Sequence, residues 1–245
     1  MFLTKVSWNE RPRDNRLFPF DNPVFQSFDH LDFTQPITFL IGENGSGKST
    51  FLEGIALACN MNPEGGSTTT RFHTTDSHTD LDDYLTLTFQ KTPPAKFFLR
   101  AETFYNVGGY INQQIMNGNF EEYQKFGSSL LELSHGESFL KVMTHNFQEP
   151  GFYLLDEPEA ALSPRSQECL LILLNSLTKA GSQFIIVTHS PILLASPNAT
   201  IINIENNWQR ISYKETELYK QYHLFINNPE LMVHNLLKET EEPML

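Results

Sequence analysis

The run Gly42-Glu43-Asn44-Gly45-Ser46-Gly47-Lys48-Ser49 has the form GxxxxGK[ST], and it stands between an apolar stretch, Ile37–Ile41, and a helix-favouring stretch that opens at Thr50. Few patterns constrain a chain more, because this one works only as the turn between a strand and a helix. Gly42, Gly45 and Gly47 let the backbone take positive φ and approach a polyphosphate closely. Amide groups from Glu43 to Thr50 and the positive end of the following helix meet the negative charge. Lys48 is placed to reach the β and γ phosphates, and the Ser49 hydroxyl to sit on Mg²⁺.

Around that turn, short β-type runs alternate with helical ones, which predicts an α/β fold with a mainly parallel sheet covered on both faces. Ile37–Ile41, Phe152–Leu155 and Phe184–Val187 are apolar throughout and read as central strands. Tyr84–Phe89 and Lys96–Arg100, separated by Pro93-Pro94, read as a hairpin nearer an edge. A second hairpin is expected from Thr200–Ile204 and Trp208–Tyr213. Helices are expected at Lys48–Cys59, Glu137–Phe147, Pro164–Lys179, Thr216–Ile226 and from Pro229 to about Lys238. Ser163 before Pro164 and Asn228 before Pro229 supply an N-cap followed by proline at the first helical position.

The 245 residues suit one large domain, 1–245, able to bury a substantial core without disulfides. Cys59 and Cys169 form no CxxC pair and read as small buried apolar residues of a reducing compartment. Residues 62–83, rich in Gly, Thr, Ser and Asp, read as a mobile loop. The His73, Asp76, His78, Asp80, Asp82 and Asp83 side chains within it match no defined metal site and read as solvated. Residues 103–147 read as a small helical lobe. No segment has the uninterrupted apolar length of a membrane span and the start of the chain has no signal-peptide pattern, so a soluble, cytoplasmic protein is expected. A net charge of −12 with scattered basic residues disfavours autonomous binding to nucleic acid.

Phe152-Tyr153-Leu154-Leu155-Asp156-Glu157 is an apolar strand ending in two acids, the form of a Walker B motif. At a strand's C-terminal edge beside the phosphate loop, Asp156 is placed to hold Mg²⁺ through its water shell, and Glu157 to accept a proton from an attacking water. Ser134 and Glu137 have the spacing of a capping box, which opens a helix whose free N–H groups receive an anion.

Leu133-Ser134-His135-Gly136-Glu137 also resembles the LSGGQ signature of ATP-binding-cassette ATPases, and it precedes Asp156 by about twenty residues, as in that family. Thr188-His189-Ser190, following an apolar run, resembles the family's switch histidine, whose neutral imidazole senses the γ-phosphate or the water. The resemblance makes Glu102 the candidate for the Q-loop residue near Mg²⁺, with a carboxylate in place of the family's amide. Phe18 is either the adenine-stacking aromatic or an apolar anchor of the first strand.

Within the superfamily, Asp156-Glu157-Pro158-Glu159-Ala160-Ala161-Leu162-Ser163-Pro164 looks more like stand-alone bacterial ATPases related to RecF and SMC proteins than like transporter subunits. That branch implies a P-loop fold with antiparallel edge strands, ATP and Mg²⁺ as ligands, and hydrolysis involving Lys48, Glu157 and His189. It further implies an ATP-bridged homodimer in which Ser134 and Gly136 of one subunit meet the nucleotide of the other. Work on DNA, phage defence or a related regulation, through an unidentified effector protein, is the leading expectation. A transporter's nucleotide-binding subunit, or a nucleotide-gated interaction module that hydrolyses little, are the alternatives.

Overall fold

The computed structural model describes residues 1–11, 16–62, 80–101, 140–141, 143–144 and 146–239. Glu102, Ser134 and Gly136 lie outside the described residues, as do 63–79 of the expected loop and most of the expected lobe. Two compact units divide the chain, Met1–Arg210 and Ile211–Leu245.

The first unit is built on a six-stranded sheet in the order β5-β6-β7-β3-β8-β9. Its strands are β3 (Ile37–Ile41), β5 (Lys96–Arg100), β6 (Phe152–Asp156), β7 (Gln183–Val187), β8 (Ala199–Asn203) and β9 (Gln209–Ile211). From β5 to β8 every neighbouring pair is parallel. All five residues of β6 and of β7 are buried, as a strand covered on both faces requires. Parallel pairing puts the carboxyl ends of these strands along one edge, with Arg100 opposite Asp156, Asp156 opposite Val187, and Ile41 opposite Asn203.

A second, antiparallel sheet has the order β2-β1-β4, from β1 (Leu3–Trp8), β2 (His30–Asp32) and β4 (Leu85–Phe89). The expected hairpin between Tyr84–Phe89 and Lys96–Arg100 is therefore absent, because its two arms join different sheets. The reason is burial: Leu85–Phe89 alternates between inside and outside, fitting a one-sided sheet, whereas Phe97, Phe98 and Leu99 are all buried. Thr200–Ile204 and Trp208–Tyr213 do supply adjacent strands, β8 and β9.

Helix α2 (Lys48–Ala58) packs against β6 and β7 of the large sheet and β4 of the small one. Phe51, Leu52 and Ile55 on it are fully buried, each contributing roughly 1.5–3 kcal/mol of hydrophobic stabilisation. Phe51 meets Phe28 and Trp208 edge-on in an aromatic cluster at 4.6–5.2 Å between centroids. That cluster anchors α1 (Pro23–Ser27), because the Trp208 indole donates to the Val24 carbonyl at 2.9 Å. Gln183, fully buried, ties the two sheets together: its amide oxygen accepts from the Phe2 and Leu3 N–H groups at 2.7 and 2.9 Å, and its amide nitrogen donates to the Leu3 carbonyl at 2.8 Å.

The short helix α3 (Leu81–Tyr84) sets Leu81 against Gly54 of α2, where an added Cβ would lie 2.9 Å from the leucine. Helix α4 (Pro164–Lys179) buries Leu170, Leu174 and Leu177 on one stripe and begins at an N-cap, Ser163, that accepts from the Ser166 N–H at 3.2 Å. The one-turn helix α5 (Pro191–Leu194) follows β7. Cys59 is buried, with its thiol pushed up to about 12 by burial. Cys169 is exposed, contrary to expectation, because it falls on the outward face of α4, one position before buried Leu170.

Among the described residues the second unit contains a 3-10 turn, Tyr213–Glu215, and two α-helices, α6 (Glu217–Asn227) and α7 (Pro229–Glu239). Thr216 caps α6 by accepting from the Tyr219 N–H at 3.1 Å. Tyr219 meets the Tyr213 ring edge-on and stacks on the His223 ring one turn along.

Candidate active site

The ends of β3, β5, β6 and β7 and the start of α2 converge at the carboxyl edge of the large sheet. Between β3 and α2 runs the glycine loop. At Gly47 the backbone is left-handed, φ 102°, and a Cβ there would sit 3.0 Å from the Phe25 ring, so only glycine fits. Asn22 clamps the loop from the N-terminal side: its amide nitrogen donates to the Ser46 carbonyl at 3.2 Å while its oxygen caps α1 at Val24. On the opposite flank the exposed Glu205 carboxylate accepts from the Glu43 N–H at 2.8 Å.

Lys48 is 4 % exposed, and its ammonium group donates to the Gly42 and Glu43 carbonyls at 2.8 and 2.7 Å. Burial pulls its pKa below the ordinary value, and the carboxylates of Glu157, Glu205, Asp156 and Glu43 oppose that pull. Next to it, the Ser49 hydroxyl donates to Asp156 Oδ1 at 2.9 Å, joining α2 to the end of β6.

Glu157 follows with a left-handed backbone, φ 49° and ψ 51°, held by its N–H bond to the Val187 carbonyl at 2.9 Å. A non-glycine residue in that region costs about 1 kcal/mol or more, and such positions cluster where a side chain must be aimed. Here the carboxylate reaches within 3.9 Å of His189 Nε2. Burial, and then the Lys48 charge, lower the His189 pKa, so the ring is neutral at pH 7. Its backbone N–H donates to Glu159 Oε1, and burial raises the Glu159 pKa. The Ser190 hydroxyl, which caps α5, donates to Gln167 Oε1 at 2.7 Å, so α4 braces the same turn.

A cavity of about 430 Å³ opens over this arrangement. Asn44, Gly45, Gly47, Lys48, Ser49 and Thr50 line its floor and Glu157 one wall. Phe18, 67 % exposed, lies at its rim, so the expected aromatic is beside the loop. Ser46 Oγ and His189 Nε2 are buried without a hydrogen-bond partner among the described residues. Such orphaned polar atoms beside a ring of amide donors and a lysine fit a polyphosphate. The all-oxygen pair of Ser49 and Asp156 fits Mg²⁺, which keeps several waters and leans on substrate phosphates.

Four residues at the site escape the motif reading. Arg100, at the end of β5, lies with Nη1 3.1 Å from Glu53 Oε2 and Nε 3.5 Å from Asp156 Oδ2. Its signal was a cation closing an apolar run, and the sheet sets it in register with Asp156. Glu159 stands in the same acidic run as Glu157, and Asn22 before Pro23 has the look of an N-cap. Glu205 carried no local signal.

The fold and this edge define a P-loop ATPase of ABC/AAA type, and a family model matches residues 37–106 and 127–195. The chain belongs to that family, described as "AAA domain, putative AbiEii toxin, Type IV TA system". It is similar to the ribose import ATP-binding protein RbsA from two strains of Bacillus cereus, in each case 26% identical over 186 residues that cover 69% of this chain. The match spans 37% of either relative's length. Among solved structures, the SMC head domain from Thermotoga maritima aligns with TM-score 0.42 and 17% identity, covering 83% of this chain and 95% of that one. A putative metal-chelate type ABC transporter in an inward-facing conformation aligns with TM-score 0.48 and 17% identity, covering 91% and 88%. Among the described residues no helix is long and apolar enough to cross a membrane.

Proposed function

We propose that this protein is a cytoplasmic ATPase that binds ATP over the glycine loop, hydrolyses it with Glu157 as general base, and couples turnover to closure of a homodimer. The observation that carries this reading is the meeting of Ser49 and Asp156 at 2.9 Å beside the Glu157–His189 pair at 3.9 Å. Residues 1–245 act together as one ATPase domain, with 103–147 as its signature-bearing lobe.

Lys48 turns from the Gly42 and Glu43 carbonyls to the β and γ phosphates, and the loop amides hold the remaining oxygens. Phe18 stacks on the adenine. Ser49, and Asp156 through water, would hold Mg²⁺, which when bound would neutralise phosphate charge. Glu157 takes the proton of the attacking water, and neutral His189 offers Nε2 to that water or to the γ-phosphate. Glu102 would be a further residue near that metal. Ser134 and the Gly136 amide of a second copy close over the same triphosphate, and hydrolysis releases that bridge.

The turnover serves DNA maintenance, phage defence or a related regulation through an effector protein, and the family description, a putative toxin of a type IV toxin–antitoxin system, supports a regulatory role. A second reading, the nucleotide-binding subunit of a transporter, draws on the likeness to RbsA, an import ATP-binding protein.

Phosphate release from Mg²⁺-ATP tests the enzymatic claim. Wild-type protein is expected to turn over ATP, Lys48→Ala to lose tight nucleotide binding, and Glu157→Gln to bind normally while turning over roughly 10²–10⁴-fold more slowly. Unchanged turnover in Glu157→Gln contradicts the assignment of the base.

A further inference from the structure

Arg100 stands between two buried carboxylates, Glu53 and Asp156, at the cation end of the site. Its side chain is 22 % exposed, that of Glu53 11 % and that of Asp156 8 %. Nη1 is within hydrogen-bond distance of Glu53, whereas Nε stands a little farther, at 3.5 Å, from Asp156 Oδ2. Asp156 Oδ1 already accepts from Ser49. The guanidinium therefore stands beside the carboxylate that is to face Mg²⁺, and the three groups come from three elements: Glu53 from α2, Arg100 from the end of β5 and Asp156 from the end of β6. A small pocket lined by Ser49, Arg100, Ala101, Asp156, Glu157 and Ala160 opens at this point.

We infer that Arg100 is a positioning residue that occupies Asp156 in place of a divalent cation, and that Glu53 sets the strength of this occupation by competing for the same guanidinium. The inference rests on the reading of Ser49 and Asp156 as the Mg²⁺ residues. Its physical basis is charge. A fixed positive charge next to Asp156 screens the carboxylate from Mg²⁺ and repels the cation directly. Glu53 draws the guanidinium toward α2 and adds a negative charge of its own, which favours the cation. Removing Arg100 and removing Glu53 must then act in opposite directions on metal affinity. A brace that merely holds β5 to α2 and β6 is damaged in the same sense by either change.

The test measures binding of a non-hydrolysable ATP analogue twice, in Mg²⁺ and in EDTA, and takes the ratio of the two affinities as the metal's contribution. Arg100→Gln is expected to raise that ratio on the order of tenfold, a size suited to one charge a few ångströms away in a partly solvated site. Glu53→Gln is expected to lower it by several-fold, and Arg100→Lys to leave it near the wild-type value. Mn²⁺ affinity read by electron paramagnetic resonance in the presence of the analogue is expected to follow the same order. Shifts of the same sign in Arg100→Gln and Glu53→Gln, or no shift in either, overturn the inference. Asp156→Asn is the control for the underlying reading. If it leaves the ratio unchanged, the assignment of Asp156 to Mg²⁺ fails, which is a separate result from the failure of Arg100 to compete.

Discussion

Glu159 and His189 show how burial, more than sequence, sets the chemistry of single residues at this edge. Each has its pKa moved by desolvation, in opposite directions because one is charged when it loses a proton and the other when it gains one. The Glu159 pKa lies above its ordinary 4.5, so the folded state holds a proton that the unfolded chain has released, and stability falls as pH rises from 4.5 through the raised value. Glu159→Gln keeps an oxygen to accept from the His189 N–H and removes this penalty. Its melting temperature is expected to exceed the wild type's by a margin that opens above pH 4.5 and then levels off; a margin independent of pH contradicts the cause given. For His189 the sign is reversed. Its folded pKa lies below 6.5, so stability from the neutral ring is present above that pH and is lost as pH falls below it. In His189→Gln this loss is expected to shrink, as read from melting curves between pH 7 and pH 5. Lys48, Ser49, Asp156 and Glu157 were legible at this scale because spacing in a strand–loop–helix frame defines them. Glu205 and the pairing of Arg100 with Glu53 were not, because they meet the site through contacts 47 to 162 residues away in sequence.

Among the elements, the parallel strands were the most readable, since a strand buried on both faces is apolar at every position. β3 matches the expected Ile37–Ile41, β6 and β7 extend their expected runs by one residue each, and α4 keeps the expected Pro164–Lys179. The β4–β5 pairing was misread because proximity along the chain was taken for pairing in space. The burial rhythm separates them: Leu-Thr-Leu-Thr-Phe alternates, and Lys-Phe-Phe-Leu-Arg does not. The N-terminal β1 and α1 carry weak periodicity, and both are tied by side chains from far along the chain, β1 to the large sheet by Gln183 and α1 by the Trp208 indole. Gln183→Leu leaves two buried N–H groups and a carbonyl without partners, a cost of roughly 2–5 kcal/mol. Urea unfolding is expected to show that loss; a variant within about 0.5 kcal/mol of wild type contradicts the role of this tie between the sheets.

At the scale of the whole molecule, the glycine loop and Glu157 line one cavity, with His189 3.9 Å from Glu157, and the proposed function adds Ser134 and Gly136 from a second copy. The account therefore requires two copies for one complete site. The most direct measurement is the mass of Glu157→Gln in solution by light scattering, with and without saturating ATP and Mg²⁺. Near 28.1 kDa without nucleotide and about twice that with it is the expected result, with Lys48→Ala remaining at the lower mass in both conditions. A Glu157→Gln protein that binds ATP yet keeps the single-chain mass at every concentration contradicts the account.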